Sequence, residues 1–205
     1  MDSNKRRLLK VATVLFAKKG YAEVSTREIC EKAKINLGGI SYHFGGKEGL
    51  CLAVVEEFMK KLVRSFQQIQ IPQEAEPITK EKLTEYFTQF IKTLIEIRIS
   101  FPEAEILSYH RLFREIPEMK KVVEKTLDPV FNDFTKLLSA AKKQNLIAAD
   151  FNSRSFLVLM IKSIWGYISV QSHVELLWNE AYRLPQDKKE FTEFLVSLLT
   201  RGVYV

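Results

Sequence analysis

The fold turns on residues 25–50, STREICEKAKINLGGISYHFGGKEGL. Ser25 is a good N-cap, and Glu28 stands three residues on, where a carboxylate can reach back to the cap's own N–H, the spacing of a capping box. Ile29 and Ala33 share one face of the short helix that Ser25 opens. Lys34 and Ile35 close a turn, and Asn36 is a second N-cap. The next helix, residues 37–44, has one strongly apolar spacing, Ile40 to Phe44, so it buries a narrow stripe. Leu37, Gly39, Ser41, Tyr42 and His43 are left facing outward. Gly45 and Gly46 stop it, and Lys47 opens another helix. Such a pair is a helix-turn-helix when the outward face enters a major groove. It is an ordinary helical hairpin when that face is merely solvated.

Around this stretch the 205 residues read as an all-α chain of about nine to ten helices. With 46% hydrophobic and 27% charged residues the composition is that of a globular protein. Gly and Pro are few, β-branched alternation is nearly absent, and helical periodicity runs almost throughout. The net charge of +6 is uneven: residues 1–64 hold 13 Lys and Arg against 7 Asp and Glu, and residues 65–205 hold 18 of each. A basic segment joined to a neutral one suits a polyanion on one side only; its other reading is a small basic domain that simply stays dissolved. Cys30 and Cys51 fall on helix faces near the apolar stripe, with no second pair for a metal. They read as buried free thiols of a reducing compartment, with a redox-sensing pair as the alternative. The basic start MDSNKRR leads into LLKVATVLF, which contains Lys10 and fits an amphipathic helix rather than a signal peptide.

Taken in order, residues 4–19 form a first helix on Leu8, Ala12, Leu15 and Phe16, ringed by lysines and arginines and stopped at Gly20. The helix from Lys47 runs to about residue 67 on Leu50, Val54, Phe58 and Leu62. Its N-terminus, with Lys47 and free N–H groups, suits a phosphate. Residues 71–77, IPQEAEP, read as a linker. A helix over 79–99 follows on Leu83, Phe87, Phe90, Leu94 and Ile97. Pro102 and Pro117 stand at first-turn positions, predicting separate helices over 103–114 and 118–144, the second kinked or broken at Pro129. Asp150 or Asn152 caps a helix over 154–178 whose centre, FLVLMIKSIWGYI, is apolar nearly all round. It is too short, and too interrupted by Lys162, to span a membrane. A helix apolar on all sides must be covered on all sides. Asp187 and Glu190 repeat the capping-box spacing before a stripe of Phe191, Phe194, Leu195, Leu198 and Leu199. The helices over 154–178 and 188–203 carry more apolar surface than one small domain needs. That predicts a homodimer, a four-helix bundle across a two-fold axis, or else a monomer with one buried central helix.

LFAKKGY, VSTREI and ISYHFGGKEGL together resemble the tetracycline-repressor-like (TetR) family of bacterial transcriptional regulators. The likeness covers about residues 5–60. It rests on the Phe-Ala then Gly-Tyr exit of the first helix, the S-x-R-E-I opening of the second and the Y-H-F-x-x-K-E-x-L exit of the third. NLGGISYHFGGKEGL is closest to a subgroup with its own kind of C-terminal domain. The resemblance implies a helix-turn-helix DNA-binding domain of three helices at 1–64, motif 25–44, and a larger helical ligand-binding and dimerisation domain at 65–205. It implies a cytoplasmic homodimer that binds a near-palindromic operator. Carried over position by position, it gives phosphate contacts to Ser25, Thr26 and Arg27, to Tyr42 and His43, and to Lys47. Base reading falls to Leu37, Gly38, Gly39 and Ser41. His43 has a second reading, packing against the start of the next helix.

Two positions depart from the family pattern, which often has a basic residue or proline in place of Leu37 and a tyrosine in place of Ser41. Leu37 offers only apolar contact, such as to a thymine methyl, so part of the specificity is expected from DNA shape. The resemblance also implies a small-molecule effector, of unknown identity, and no cofactor. Tyr86, Phe90, Tyr109, His110, Phe113, Phe131, Phe134, Met160 and Trp165 are candidates to line a pocket for a small apolar or aromatic-compatible ligand, or are plain core. Tyr109, His110 and Arg111 are the most polar stretch among them.

The expected function is a ligand-released repressor, with an activator or a regulator without small effector as the alternative. A helical enzyme is disfavoured: His43, His110 and His173 lie far apart, and no Gly-rich phosphate loop is present. A helical scaffold with no DNA partner would not need the N-terminal charge surplus.

Overall fold

A computed structural model describes residues 3–69, 77–101, 103–104, 106, 112–177 and 188–201 of the chain. Among these residues nine α-helices occur and no strand: α1 (Ser3–Lys19), α2 (Thr26–Ala33), α3 (Gly38–Phe44), α4 (Lys47–Phe66), α5 (Lys80–Ser100), α6 (Leu112–Glu115), α7 (Pro117–Lys143), α8 (Ser153–Leu177) and α9 (Lys188–Arg201). Of the linker read from the sequence, only Pro77 lies among the described residues, and Pro102, Tyr109, His110 and Asp187 lie outside them. None of the described helices is long and apolar enough to cross a membrane.

The chain divides into two compact units, Met1–Arg64 with Ile99–Asp128, and Ser65–Arg98 with Pro129–Val205. In the first, α1 packs on both α2 and α3 through Leu8, Ala12, Leu15 and Phe16. The α4 stripe of Leu50, Val54, Phe58 and Leu62 is buried. Each such large side chain contributes about 2–3 kcal/mol on burial. Residues from 99 onward join this unit through two contacts to α4. The Phe58 and Phe101 rings meet edge-on at 6.1 Å, and the Lys61 ammonium is paired with the buried Glu103 carboxylate. A buried carboxylate needs such a partner, since an unpaired one would be strongly destabilising.

The second unit has an aromatic core. Tyr86, Phe87 and Phe90 on α5 surround Phe134 of α7, with ring centroids 4.9–6.1 Å apart. Phe66 adds to Phe90 at 4.9 Å, and Phe156 of α8 to Phe87 at 5.7 Å. Thr79 caps α5 by accepting from the Lys82 N–H at 3.2 Å, and Asn152 caps α8 by accepting from Ser155 at 2.9 Å. Asn145, left-handed at φ 56°, closes α7 as its Leu146 neighbour donates back to Ala141.

The structure corrects three readings of the fold. Of the helix expected over 103–114, the described residues Glu103, Ala104 and Ile106 are 3₁₀ rather than α-helix, and Leu112–Glu115 are α-helical. Pro129 does not break α7, which runs through it as one helix. The proline removes one hydrogen bond, and the buried stripe of Phe134, Leu137, Leu138 and Ala141 beyond it outweighs that loss. Asn36 does not cap α3. Leu37 occupies the cap position, in helical backbone and with no side-chain bond, while the Asn36 carbonyl accepts from Gly39 at 2.8 Å. In the single chain α8 leaves Val158 and Leu159 more than half exposed.

Two outcomes follow from this packing. A β-carbon on Gly49 would lie 1.9 Å from the Phe44 carbonyl oxygen, whereas one on Gly38 would meet nothing within 4 Å. Gly49→Ala is therefore expected to lower unfolding free energy in urea by about 2 kcal/mol or more. Gly38→Ala is expected to leave it within about 0.5 kcal/mol of the parent or to raise it. Cys30 and Cys51 are both free and buried, and burial pushes the Cys51 thiol up to about 12. Neither should be alkylated by iodoacetamide at pH 8 in the folded protein, and both should react in urea, as read by mass spectrometry.

Candidate nucleic-acid interface

The first helix of the motif is fixed at both ends. The Ser25 hydroxyl oxygen accepts from the Glu28 N–H at 3.0 Å, as the cap spacing requires. The Glu28 carboxylate does not turn back to the cap as expected. Lys19 of α1 donates to it at 2.7 Å and Lys32 lies at 3.4 Å. The Lys19 hydrogen bond is the main reason its carboxyl titrates below the usual range. At the other end Lys34 is left-handed, and its N–H bonds to the carbonyls of Cys30 and Glu31.

The turn delivers α3, seven residues held by one buried side chain, Ile40 at 1% exposure. Leu37 is 60% exposed and Tyr42 84%, with Gly38 and Ser41 exposed between them. Gly39 departs from the outward reading. A β-carbon there would lie 2.6 Å from Ile35 Cγ2 and 3.6 Å from Leu8 Cδ1, so that side of the residue faces the protein. The outward face is thus Leu37, Gly38, Ser41 and Tyr42. The His43 ring is half-buried, 4.8 Å from Tyr42 and 6.3 Å from Phe44, and therefore packs as well as facing the surface.

The end of α3 is made by two glycines at positive φ, Gly45 at 74° and Gly46 at 137°, a backbone that a β-carbon would strain. Gly45 donates back to Ser41 and Gly46 accepts from Leu50. The start of α4 therefore arrives directly under Phe44. Lys47 is tied to the turn that follows α1: its ammonium sits 4.3 Å from the centre of the Tyr21 ring and 3.4 Å from the Ala22 carbonyl. Burial, with Glu48 next in effect, pushes the Tyr21 hydroxyl up to about 12. Lys5 stands 5.5 Å over the Phe44 ring. Ser25 and Arg27 are exposed and Thr26 half-buried at the start of α2, and Arg27 bonds Glu31 at 2.9 Å across one helical turn.

The structure brings Ser25, Thr26 and Arg27 to one helix end and Leu37, Gly38, Ser41 and Tyr42 to one helix face. Two contributors, Gly49 and Arg7, were not singled out from sequence, and a third, Tyr21, was noted only in the exit motif of the first helix. Gly49 admits the Phe44 carbonyl, a role signalled only by a glycine in the first turn of a helix. Tyr21 carries Lys47. Arg7 donates to the carbonyls that end α2. No spacing marks the last two, because their partners are distant in sequence.

The pocket candidates divide. Tyr86, Phe90, Phe134 and Met160 are buried, the first three packed on one another, while Phe113, Phe131 and Trp165 are half-buried. Among the described residues no three His, Cys, Asp or Glu side chains gather to hold a metal ion.

Residues 8–54 match the family model for bacterial regulatory proteins, tetR family. The probable HTH-type transcriptional regulator YttP of Bacillus subtilis is 43% identical over 56 residues, 27% of each chain. The HTH-type transcriptional repressor Rv3405c of Mycobacterium tuberculosis is 42% identical over 57 residues, 28% of this chain and 30% of that protein. The matched stretch thus spans under a third of either relative. A crystal structure of a tetR-family regulatory protein from Rhodococcus RHA1 superimposes with a TM-score of 0.74. It covers 100% of this chain and 98% of that one, at 19% identity, a likeness of fold. The matched residues are those of α1 to α4 that build the candidate interface, and over this stretch the chain is similar to the tetR family of bacterial regulatory proteins.

Proposed function

We propose that the protein is a homodimeric, sequence-specific DNA-binding repressor that a small molecule releases from a near-palindromic operator. One observation carries the DNA reading: a seven-residue helix pinned by a single buried side chain offers Leu37, Gly38, Ser41 and Tyr42 to solvent. A leucine at the cap of so short a helix and a tyrosine within it, both more than half exposed, suit a surface that would cover them. Residues 1–64 serve this function, and residues 65–205 serve ligand binding and dimerisation.

Phosphates take Ser25, Thr26 and Arg27 at the N-terminus of α2, with Tyr42, His43 and Lys47 on the far side of α3. The Arg27–Glu31 pair is exposed, so exchanging it for a phosphate costs little. Leu37 and Ser41 face base edges, and Gly38 lets the backbone come close. Gly39 serves by packing on Ile35 rather than by reading.

The dimer is supported by large apolar side chains left exposed on two helices, Val158 and Leu159 on α8 and Phe194 and Leu198 on α9. α9 joins the second unit through Phe191, stacked on Tyr167 of α8 at 3.9 Å. The effector is a small apolar or aromatic-compatible molecule, for which the aromatic side chains of the second unit are suitable neighbours. It acts through its differential affinity for two spacings of the reading heads, a tenfold effect needing about 1.4 kcal/mol. The sign of regulation follows the repressor name of one relative, with an activator as the alternative.

Selection from random duplex DNA with the purified protein is expected to return a near-palindromic consensus. Recovery of no enriched sequence, with salt-sensitive binding to any duplex, would overturn the reading. On the selected duplex, Leu37→Ala should weaken binding about tenfold while leaving a scrambled duplex little affected. Arg27→Ala should weaken both alike and reduce the salt slope by about one. Phe194→Glu should shift sedimentation from two chains per particle to one and abolish tight operator binding; an unchanged particle would sink the proposed interface.

A further inference from the structure

The turn that sets α3 against α2 is built on a residue poorly suited to it. Lys34 has φ 53° and ψ 52°. Glycine or asparagine usually fills such a left-handed position, because a β-carbon is unfavourable there. The inner side of the turn is closed by its own backbone, with the Lys34 N–H on Cys30 and Glu31 and the Ile35 N–H on Cys30 at 3.0 Å. The carbonyls of Ala33 and Lys34 are left for another donor. Arg7 of α1, 26 and 27 residues away, supplies it: its Nη2 donates to the Ala33 oxygen and stands 3.4 Å from that of Lys34. On the other side of the turn Ile35 Cγ2 fills the space where Gly39 lacks a β-carbon. Any shift of residues 34–35 is therefore passed to the first turn of α3.

We propose that Arg7 is a positioning residue for DNA reading, holding the strained Lys34 turn so that Leu37, Ser41 and Tyr42 keep their register. The role rests on the DNA-reading function proposed above. It is separate from phosphate binding, because the guanidinium is engaged by protein carbonyls. It also makes a specific demand: a turn that no longer needs holding should no longer need Arg7. Lys34→Gly provides that turn, since glycine adopts left-handed backbone without strain.

The test uses the full-length protein, a duplex recovered by selection and a scrambled duplex of equal length, each titrated over a range of salt. Thermal melting reports folding of each variant. Arg7→Ala is expected to reduce the ratio of selected to scrambled affinity about tenfold, the size of one charge-assisted hydrogen bond, with the salt slope unchanged. Arg7→Lys, which keeps the charge and offers a single donor group, should fall between. Lys34→Gly in the Arg7→Ala background should restore most of the ratio, and Lys34→Gly alone should leave it near wild type. An unchanged ratio in Arg7→Ala overturns the role. So does an equal loss on both duplexes with the salt slope lower by about one, the mark of a phosphate contact. If Arg7→Ala fails to fold, the double variant carries the test, and a ratio that stays low there overturns the role. A wild-type protein that discriminates between no duplexes overturns the DNA-reading function itself, and this role with it.

Discussion

A helix of seven residues does not stand by itself, because the cost of nucleating it is spread over too few hydrogen bonds. α3 meets that constraint with a single buried side chain, Ile40, so its placement is decided by what lies on either side of it. Upstream, a left-handed Lys34 and the contact of Ile35 with Gly39 set the angle from α2. Downstream, Gly45 and Gly46 turn the chain sharply enough for α4 to begin beneath the last carbonyl of α3. The close approach at Gly49 is the tightest point of this arrangement. It allows the rest of α3 to be exposed without being loose.

The electrostatics of the first unit follow the same economy. Its surplus of positive charge is not spread evenly over water. Lys19 and Lys32 share Glu28, Arg27 holds Glu31, Lys47 lies on Tyr21, and Arg7 ends α2. The pairs made by Lys19, Lys32 and Arg27 are exposed, and exposed pairs contribute little to stability. A phosphate can replace the carboxylate at small cost, so these groups both orient the helices and remain available. Arg7 differs, since its acceptors are the backbone carbonyls of Ala33 and Lys34 rather than a carboxylate.

The second unit divides its apolar residues by place. Tyr86, Phe87, Phe90, Phe134 and Phe156 make one aromatic cluster in the interior, while Val158, Leu159, Phe194 and Leu198 stand outside. An interior so rich in rings packs by offset and tilted contacts. The large apolar side chains left outside on α8 and α9 are the surface on which the proposed dimer rests.

Helical class, the α2 cap at Ser25, the Gly45–Gly46 stop, and the stripes of α1, α4 and α5 were legible in the sequence. All of these are set by residues within one or two turns of each other, where spacing and propensity act directly. The exposed face of α3 was legible too, because a helix with one apolar spacing has only one way to bury it. Other features were decided by tertiary structure. Glu28 prefers Lys19 to its own cap because α1 ends beside it. Pro129 is carried through because the helix beyond it is buried. Gly39 faces inward because Ile35 fills the space beside it, and Arg7 and Tyr21 acquire roles from partners on other elements. The sequence by itself determined which segments are helices and which short helix is left to meet a partner. Only the tertiary structure decided which side chains hold that helix in place, since those contacts join residues that no local period connects.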